Sequence, residues 1–429
     1  MSDTIFCSIA SFRDPELIPT LESLISHAKY PENIHFTIFL QNGTNEPFEI
    51  DQLKDYRTDP RFTILEIPHD QTKGTCWARA TIQDHFTNED WYLQLDSHHR
   101  FVRHWDQICI EMIKELQTAG YSKPVLTTYL PSYNPFNDPE GRAPECWRLD
   151  WDRFIPESPF FILPSSMTEE EMKTPLLSRY FSGHFVFAPG SYVKEVPYDP
   201  NLFFHGEESS MSVRSWTWGY DLFCPNQQIA FHEYTRDYRK GLKVWDGNSR
   251  WVELNKKSHE RHRKLFEMDG VKNDIDFGKY GLGPVRSLAA YEKFSGIRFR
   301  DRSVQRWTLE HKPPPNPNDH WKSEEEYNNS FEAIFRHCID IHKSQLPLRD
   351  YDFLAVIFKD SHGNEIFRKD AVESEISMFY QLLETKEWVN LWREFHMPCL
   401  PTTWVVWPHS KSQGWSPSPL EGKLIDTIS

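Results

Sequence analysis

At residues 96–98 the chain reads Asp-Ser-His, and His99 and Arg100 follow. A carboxylate and an imidazole separated by one residue leave the end of a strand on the same side. An oxygen and a nitrogen so placed suit a borderline divalent cation such as Mn²⁺, with positions left open for a ligand. The triplet also reads as a strand-end aspartate capping a turn, with a histidine beside it in solvent. His99 points opposite to His98 if the strand continues, which assigns it to packing. Further along, Glu207 and Glu208 follow a glycine and precede an amphipathic segment. There they either cap a helix through its dipole or aim a carboxylate into a pocket. His232 ends the apolar run in IAFHEY and is a candidate third metal ligand. In QTKGTCWARA at 71–80, Gly74 opens a helix, with Lys73 and Arg79 near its N-terminus. Such a terminus suits phosphate oxygens.

The elements around these residues alternate. Strands are expected at Ile5–Ala10, Ile34–Leu40, Phe62–Ile67, Trp91–Leu95 and Pro124–Tyr129. Helical spacing covers Pro15–His27, Asp51–Tyr56, Gly74–Phe86 and Trp105–Ala119. This pattern predicts an α/β fold whose central sheet is mainly parallel and covered on both faces. Ligands then bind at the carboxyl ends of the strands, where Asp96 and His98 fall. Residues 131–180 look irregular. Later strands are expected within 182–190 and 227–234, with a helix from about Glu208 to Trp218. The charged stretch from Arg236 to Asp269 predicts a solvated helix.

KPPPNPNDH at 312–320 marks a boundary. We expect a catalytic domain over 1–312, a Pro-rich linker over 313–320 and a small accessory domain over 321–429. In the last, DFLAVIFKD and NEIFRKD flank SHGN as a β-hairpin, SEISMFYQLLETKEWVNLW reads as an amphipathic helix, and PTTWVVWP as a final strand. Trp388, Trp392, Trp404 and Trp407 read as part of a small core, with a protein- or glycan-binding surface as the alternative.

The 429 residues carry 48 Lys and Arg against 63 Asp and Glu, a formal charge of −15. That balance argues against nucleic acid as a partner and is compatible with metal binding by carboxylates. Seven scattered cysteines without a CxxC pair predict free thiols in a reducing compartment. No run approaches the ~18 apolar residues of a membrane span, so the expectation is a soluble, cytoplasmic protein without membrane insertion.

Several motifs resemble one family in order and spacing. GTCWAR (74–79), LDSHH (95–99), GEESSMSVRSWTWG (206–219) and FHEY (231–234) are similar to segments of GT-A polypeptide glycosyltransferases, among them the mucin-type N-acetylgalactosaminyltransferases. SIASFRD (8–14), DSHHRF (96–101), FSGHFVFAPG (181–190) and GLGPVRSLAAYEKFSGI (281–297) look closer to the cytosolic polypeptide α-N-acetylglucosaminyltransferases, whose eukaryotic members modify hydroxyproline. The resemblance covers about residues 4–300. It implies a GT-A fold, a UDP-sugar donor and Mn²⁺ (or Mg²⁺) held by Asp96, His98 and His232 across the two phosphates. It also implies nucleotide-sugar contacts from Ser8, Ser11 and Arg13 after the first strand, from Lys73, Gly74 and Arg79, and from Ser97. Gly183 and His184 match the wall between donor and acceptor. Glu207 matches the family's acid, while Glu208 stands where the mucin-type group has Asn, so either carboxylate is the candidate catalytic group.

The reaction expected is retaining transfer of a hexosamine, most simply N-acetylglucosamine, from a UDP-sugar to a hydroxyl of a protein or glycan acceptor. A metal-dependent hydrolase using the same three ligands, and a non-catalytic nucleotide- or sugar-binding module on the same fold, are the competing readings.

Overall fold

A computed structural model describes residues 3–43, 53–155, 157–239, 243–244, 250–396 and 401–424. They fall into two compact units. The first takes the chain up to Asp152, Pro159–Arg300 and Trp307–His320; the second takes Arg153–Ser158, Asp301–Arg306 and the chain from Trp321 onward.

The first unit is built on β1 (Ile5–Phe12), β2 (Ile34–Asn42), β3 (Phe62–Pro68), β4 (Trp91–Leu95), β5 (His99–Phe101) and β6 (Pro124–Thr127). The chain then forms β7 (Trp147–Phe154), β8 (Phe160–Ser166), β9 (Leu176–Ser178), β10 (Phe185–Pro189), β11 (Asp221–Cys224), β12 (Ala230–His232) and β13 (Ile297–Arg298). Eight of these make one sheet in the order β3-β2-β1-β4-β10-β6-β11-β9. β3, β2, β1 and β4 are parallel, β10 runs antiparallel to both its neighbours, and β11 is parallel to β6. The fold is therefore mixed α/β around a mainly parallel sheet.

Both faces of that sheet are buried, as the near-continuous apolar runs require. Ile5, Cys7 and Ile9 of β1 pack with Leu21 and Leu24 of the Leu17–His27 helix and with Trp105 and Ile113. Phe6 faces the other way, toward Cys76, Ile82, Tyr92 and Met211. β1 lies between β2 and β4, so the chain's crossovers leave it in opposite directions. A crevice opens at the carboxyl end of such a switch point.

Two short strands do what the main sheet cannot. After β4 the chain bends at 96–98, re-extends as β5 and pairs antiparallel with β12. β12 falls within the strand expected in 227–234, while β5 lies outside the sequence expectation because three residues carry no readable period. The 131–180 stretch, expected to be irregular, holds β7 and β8. The charged helix forms at Trp251–Phe266 but is not simply solvated: Ser258, His259, His262, Leu265 and Phe266 are buried on one face. His262 Nε2 meets Ser209 Oγ at 2.6 Å. The Pro-rich 313–320 stretch lies in the first unit, where Arg179 donates to Lys312 O (2.7 Å) and to Asn316 Oδ1 (2.6 Å). The helix expected at Asp51–Tyr56 appears as Lys54–Thr58, and residues 51 and 52 lie outside the described residues.

The second unit contains β14 (Ser303–Gln305), β15 (Phe331–His342), β16 (Tyr351–Lys359), β17 (Glu365–Arg368), β18 (Trp388–His396), β19 (Thr403–Ser410), β20 (Gly414–Trp415) and β21 (Leu420–Lys423). β15 lies between β14 and β18, and a second sheet runs β17-β16-β19-β20, with β21 beside β19. The β16–β17 hairpin turns at Asp360, where SHGN predicts it. The helix expected to run through residue 392 stops at Leu383. From Trp388 the residues alternate exposed and buried and pair with β15 over nine positions. Trp388, Trp392 and Trp407 consequently face solvent, at 54%, 43% and 37% exposure, rather than a core; Trp404 packs against the core's margin.

Candidate active site

The bend after β4 and the β5–β12 ribbon bring three expected ligands together. His232 pairs with His99 in the ribbon register. Its Nε2 then lies 3.1 Å from His98 Nε2 and 3.7 Å from Asp96 Oδ2, and His98 Nε2 lies 3.6 Å from the same oxygen. Donors at right angles around a divalent ion with ~2.1 Å bonds sit about 3 Å apart. The three atoms are therefore gathered at nearly the spacing one cation requires, and Asp96, His98 and His232 form a metal-competent cluster. His98 Nδ1–H donates to the carboxylate of Asp14 at 2.6 Å, which leaves its Nε2 lone pair facing the cluster.

Neighbouring groups tune these side chains. Burial disfavours charge on Asp96, but the imidazoles of His232 and His98 and the guanidinium of Arg79 outweigh it and hold the carboxyl well below its ordinary range. Burial first, then the adjacent histidine His184, pushes His232 well down, so its ring is neutral. His99 is fully buried, donates Nδ1–H to Asp96 O at 3.1 Å, and packs on His232 with ring centroids 4.9 Å apart. Packing is thus its role here. His184 stacks on His232 at 4.0 Å while its Nε2 accepts the Leu130 N–H, so that nitrogen is turned away from the cluster.

Arg79 reaches the site from the Thr75–Gln83 helix, 2% exposed. It donates to Asp96 Oδ1 at 2.7 Å and lies 3.2 Å from Glu207 Oε1, so it ties two acids together inside the protein. Gly74, with φ +102°, precedes that helix; a Cβ there would lie 2.2 Å from Phe203 O. Gly206, with φ +96°, likewise precedes the Glu207–Thr217 helix, whose first two residues are the paired acids. Glu207 also accepts from Tyr198 O–H at 2.7 Å. Burial raises its pKa against the pull of Arg79 and Tyr198. Glu208 accepts from Tyr129 O–H (2.7 Å) and from Gly183 N–H (3.0 Å). Burial leads its rise to about 7, with those two donors opposing and Glu207 adding. A Cβ on Gly183 would lie 3.1 Å from the Glu207 carboxyl carbon, so the glycine is wedged against both acids.

Two pockets meet at Asp96. One, of about 320 Å³, is lined by Phe12, Gln41, Gly74, Ser97, His98 and Arg236 among others. The other, of about 340 Å³, includes Arg79, Tyr129, Gly183, His184, Glu207, Glu208 and His232 on its wall. Four expected contacts lie outside both linings. Ser8 and Ser11 are buried within β1, and Lys73 is exposed with Nζ over the Trp77 ring. Arg13, after β1, donates its N–H to Gln41 O. Sequence reasoning missed Asp14, Tyr129, Tyr234 and Arg236. Arg236 lies 4.0 Å from Asp96 Oδ2 and lines both pockets.

The family model described as Glycosyltransferase (GlcNAc) matches residues 4–55 and 45–301, most of the chain. The chain belongs to this family. No curated protein matches the glycosyltransferase. Among solved structures, GalNAc-T7 with UDP, GalNAc and Mn²⁺ aligns at 14% identity and TM-score 0.48 over 62% of this chain and 48% of that one, so this chain spans about half its length. TarS 1–349 of S. aureus in complex with UDP-GlcNAc aligns at 10% identity and TM-score 0.36, covering 64% of this chain and 75% of that one. The mannosyltransferase PcManGT from Pyrobaculum calidifontis with GDP-Man and Mn²⁺ aligns at 12% and 0.37, covering 56% and 59%. Among the described residues, no helix is long and apolar enough to cross a membrane, and six cysteines are free.

Proposed function

We propose that the protein transfers N-acetylglucosamine from UDP-N-acetylglucosamine to a hydroxyl of a protein or glycan, with retention of configuration, in a GT-A-type cleft. The observation that carries this reading is the convergence of Asp96, His98 and His232 at the junction of two pockets, in a chain of the GlcNAc glycosyltransferase family. Those three side chains would hold Mn²⁺ or Mg²⁺; when bound, such an ion neutralises charge on a departing diphosphate as a Lewis acid. Hydroxyproline, which eukaryotic members of the resembled family modify, is one candidate acceptor beside serine, threonine and a glycan hydroxyl.

The chain's own residues divide the remaining work. The pocket beside Phe12, Gln41 and Gly74 suits the nucleoside, at the carboxyl end of β1 and β4. Arg236 places a fixed positive charge where the phosphates would pass. Glu207 is engaged by Arg79 and Tyr198, so its carboxylate holds the wall of the sugar pocket in place. Glu208, beside Tyr129, is the acid that orients the sugar or the acceptor hydroxyl. Attack on the face the diphosphate leaves needs no protein nucleophile: the acceptor's proton passes to the departing phosphate, and the new glycosidic bond forms as the old one breaks.

The test is release of UDP from UDP-N-acetylglucosamine with and without Mn²⁺, in wild type and Asp96→Ala. We expect a loss of at least about a hundredfold in the variant or with chelator, in line with removing electrostatic stabilisation of a leaving group. Full turnover by Asp96→Ala overturns the assignment.

A further inference from the structure

Behind His98 lies the carboxylate that ends SIASFRD (8–14), to which the motif reading gives no role. Asp14 follows β1, is 0% exposed, and receives at least four donors from the described residues. Ser97 Oγ–H and His98 Nδ1–H reach Oδ2 at 2.7 and 2.6 Å. Glu16 N–H and Tyr238 O–H reach Oδ1 at 3.0 and 3.1 Å. A carboxylate has about four lone-pair sites, so its capacity is filled from three separate segments. One is the 96–98 bend, one the loop after β1, and one the stretch that follows His232.

From this geometry we infer that Asp14 is a positioning residue for the metal site, acting through His98. The inference rests on the metal reading proposed above. An ionised carboxylate only accepts, so it fixes the proton of His98 on Nδ1 and leaves Nε2 as the lone pair that meets the cation. The bond to Ser97 holds the bend itself. The bond to Tyr238 ties the segment beyond His232 to the same oxygen pair, so both histidine ligands are indexed to one buried group. His232 has no such backing: its buried Nδ1 has no hydrogen-bond partner among the described residues. The alignment of the two rings therefore depends on Asp14 more than on any contact His232 makes through its own Nδ1.

Two measurements on the full chain test this. In metal-free wild type, ¹⁵N shifts of the His98 ring report which nitrogen carries the proton; the Nδ1–H form is expected, and the Nε2–H form overturns the inference without any variant. Calorimetric titration of Mn²⁺ alone then compares wild type, Asp14→Asn and Asp96→Ala. Asp14→Asn is expected to weaken Mn²⁺ binding by about 10- to 100-fold and to change the His98 tautomer population, while its far-UV circular dichroism stays that of wild type. Binding lost in Asp96→Ala but unchanged in Asp14→Asn overturns the role of Asp14 alone. No Mn²⁺ binding by wild type overturns the metal reading itself.

Discussion

The crevice of the first unit and the β18 strand of the second differ in how many ionisable side chains they bury together. In the first, Arg79, Glu207, Asp14, His98, His99 and His232 are all buried, at 7% exposure or less. In the second, β18 turns Trp388 and Trp392 to solvent and buries Val389, Leu391 and Phe395 beneath them, with a single ion-paired charge among them, Arg393 against Glu375. The second pattern is the ordinary period of a half-buried strand, in which one face packs and the other is left over. The first gathers six ionisable groups in one crevice, where burial costs several kcal/mol for each group left unpaired, so the pairs among them must be kept together. Groups kept that way gather where chemistry requires them. The contrast supports the proposal that the carboxyl-end crevice of the first unit is the active site.

The sharpest way to break this contrast is Arg79→Met. It leaves Asp96 and Glu207 without their shared cation, and removal of one partner from a buried ion pair costs about 3–5 kcal/mol. Urea denaturation should show that loss, with transfer abolished; a wild-type midpoint would mean the network is incidental. Glu208→Gln gives a smaller, pH-dependent effect. The carboxyl of Glu208 is raised to about 7, burial being the leading cause. The unfolded chain releases this proton near the ordinary glutamate range, so wild type loses stability as pH rises from about 4.5 toward 7. The glutamine variant lacks that penalty. Its denaturation midpoint relative to wild type should therefore rise between pH 5 and pH 8, and a constant difference would remove Glu208 from the strained set. The smallest effect belongs to the second unit. Trp388→Ser, on an exposed face, should change stability by no more than about 0.5 kcal/mol and leave UDP release unchanged; a larger loss on either readout would show that this face has work of its own.

How much of this was legible in the sequence depended on period and distance. The strands and helices from Ile5 to Thr127 are long enough to repeat, and their alternation fixed the parallel sheet and the place of Asp96. Trp388–His396 failed for the opposite reason. Its apolar residues at 388, 389, 391, 392 and 395 satisfy helical spacing as readily as strand spacing, and only pairing with β15 decides. The three ligand candidates could be named because their types suit a cation, but nothing local connects 96–98 with 232. That connection is made by β5, whose three residues carry no pattern. Asp14, Tyr129 and Arg236 were silent because each contributes through contacts across the fold, and an aspartate after a strand is a commonplace of loops. The buried face of the Trp251–Phe266 helix was hidden by its histidines, which pack here although they count as polar in sequence.

The pairing of His232 with His99 has a consequence for how such a chain tolerates change in length. Side chains alternate along β12, so a slip of one residue against β5 would send the imidazole at 232 to the opposite face. The long stretch between the two strands can therefore lengthen or shrink in its loops, provided the extra residues stay outside the ribbon. A single inserted or deleted residue within Ala230–His232 would take apart the Asp96–His98–His232 cluster while sparing most of the fold.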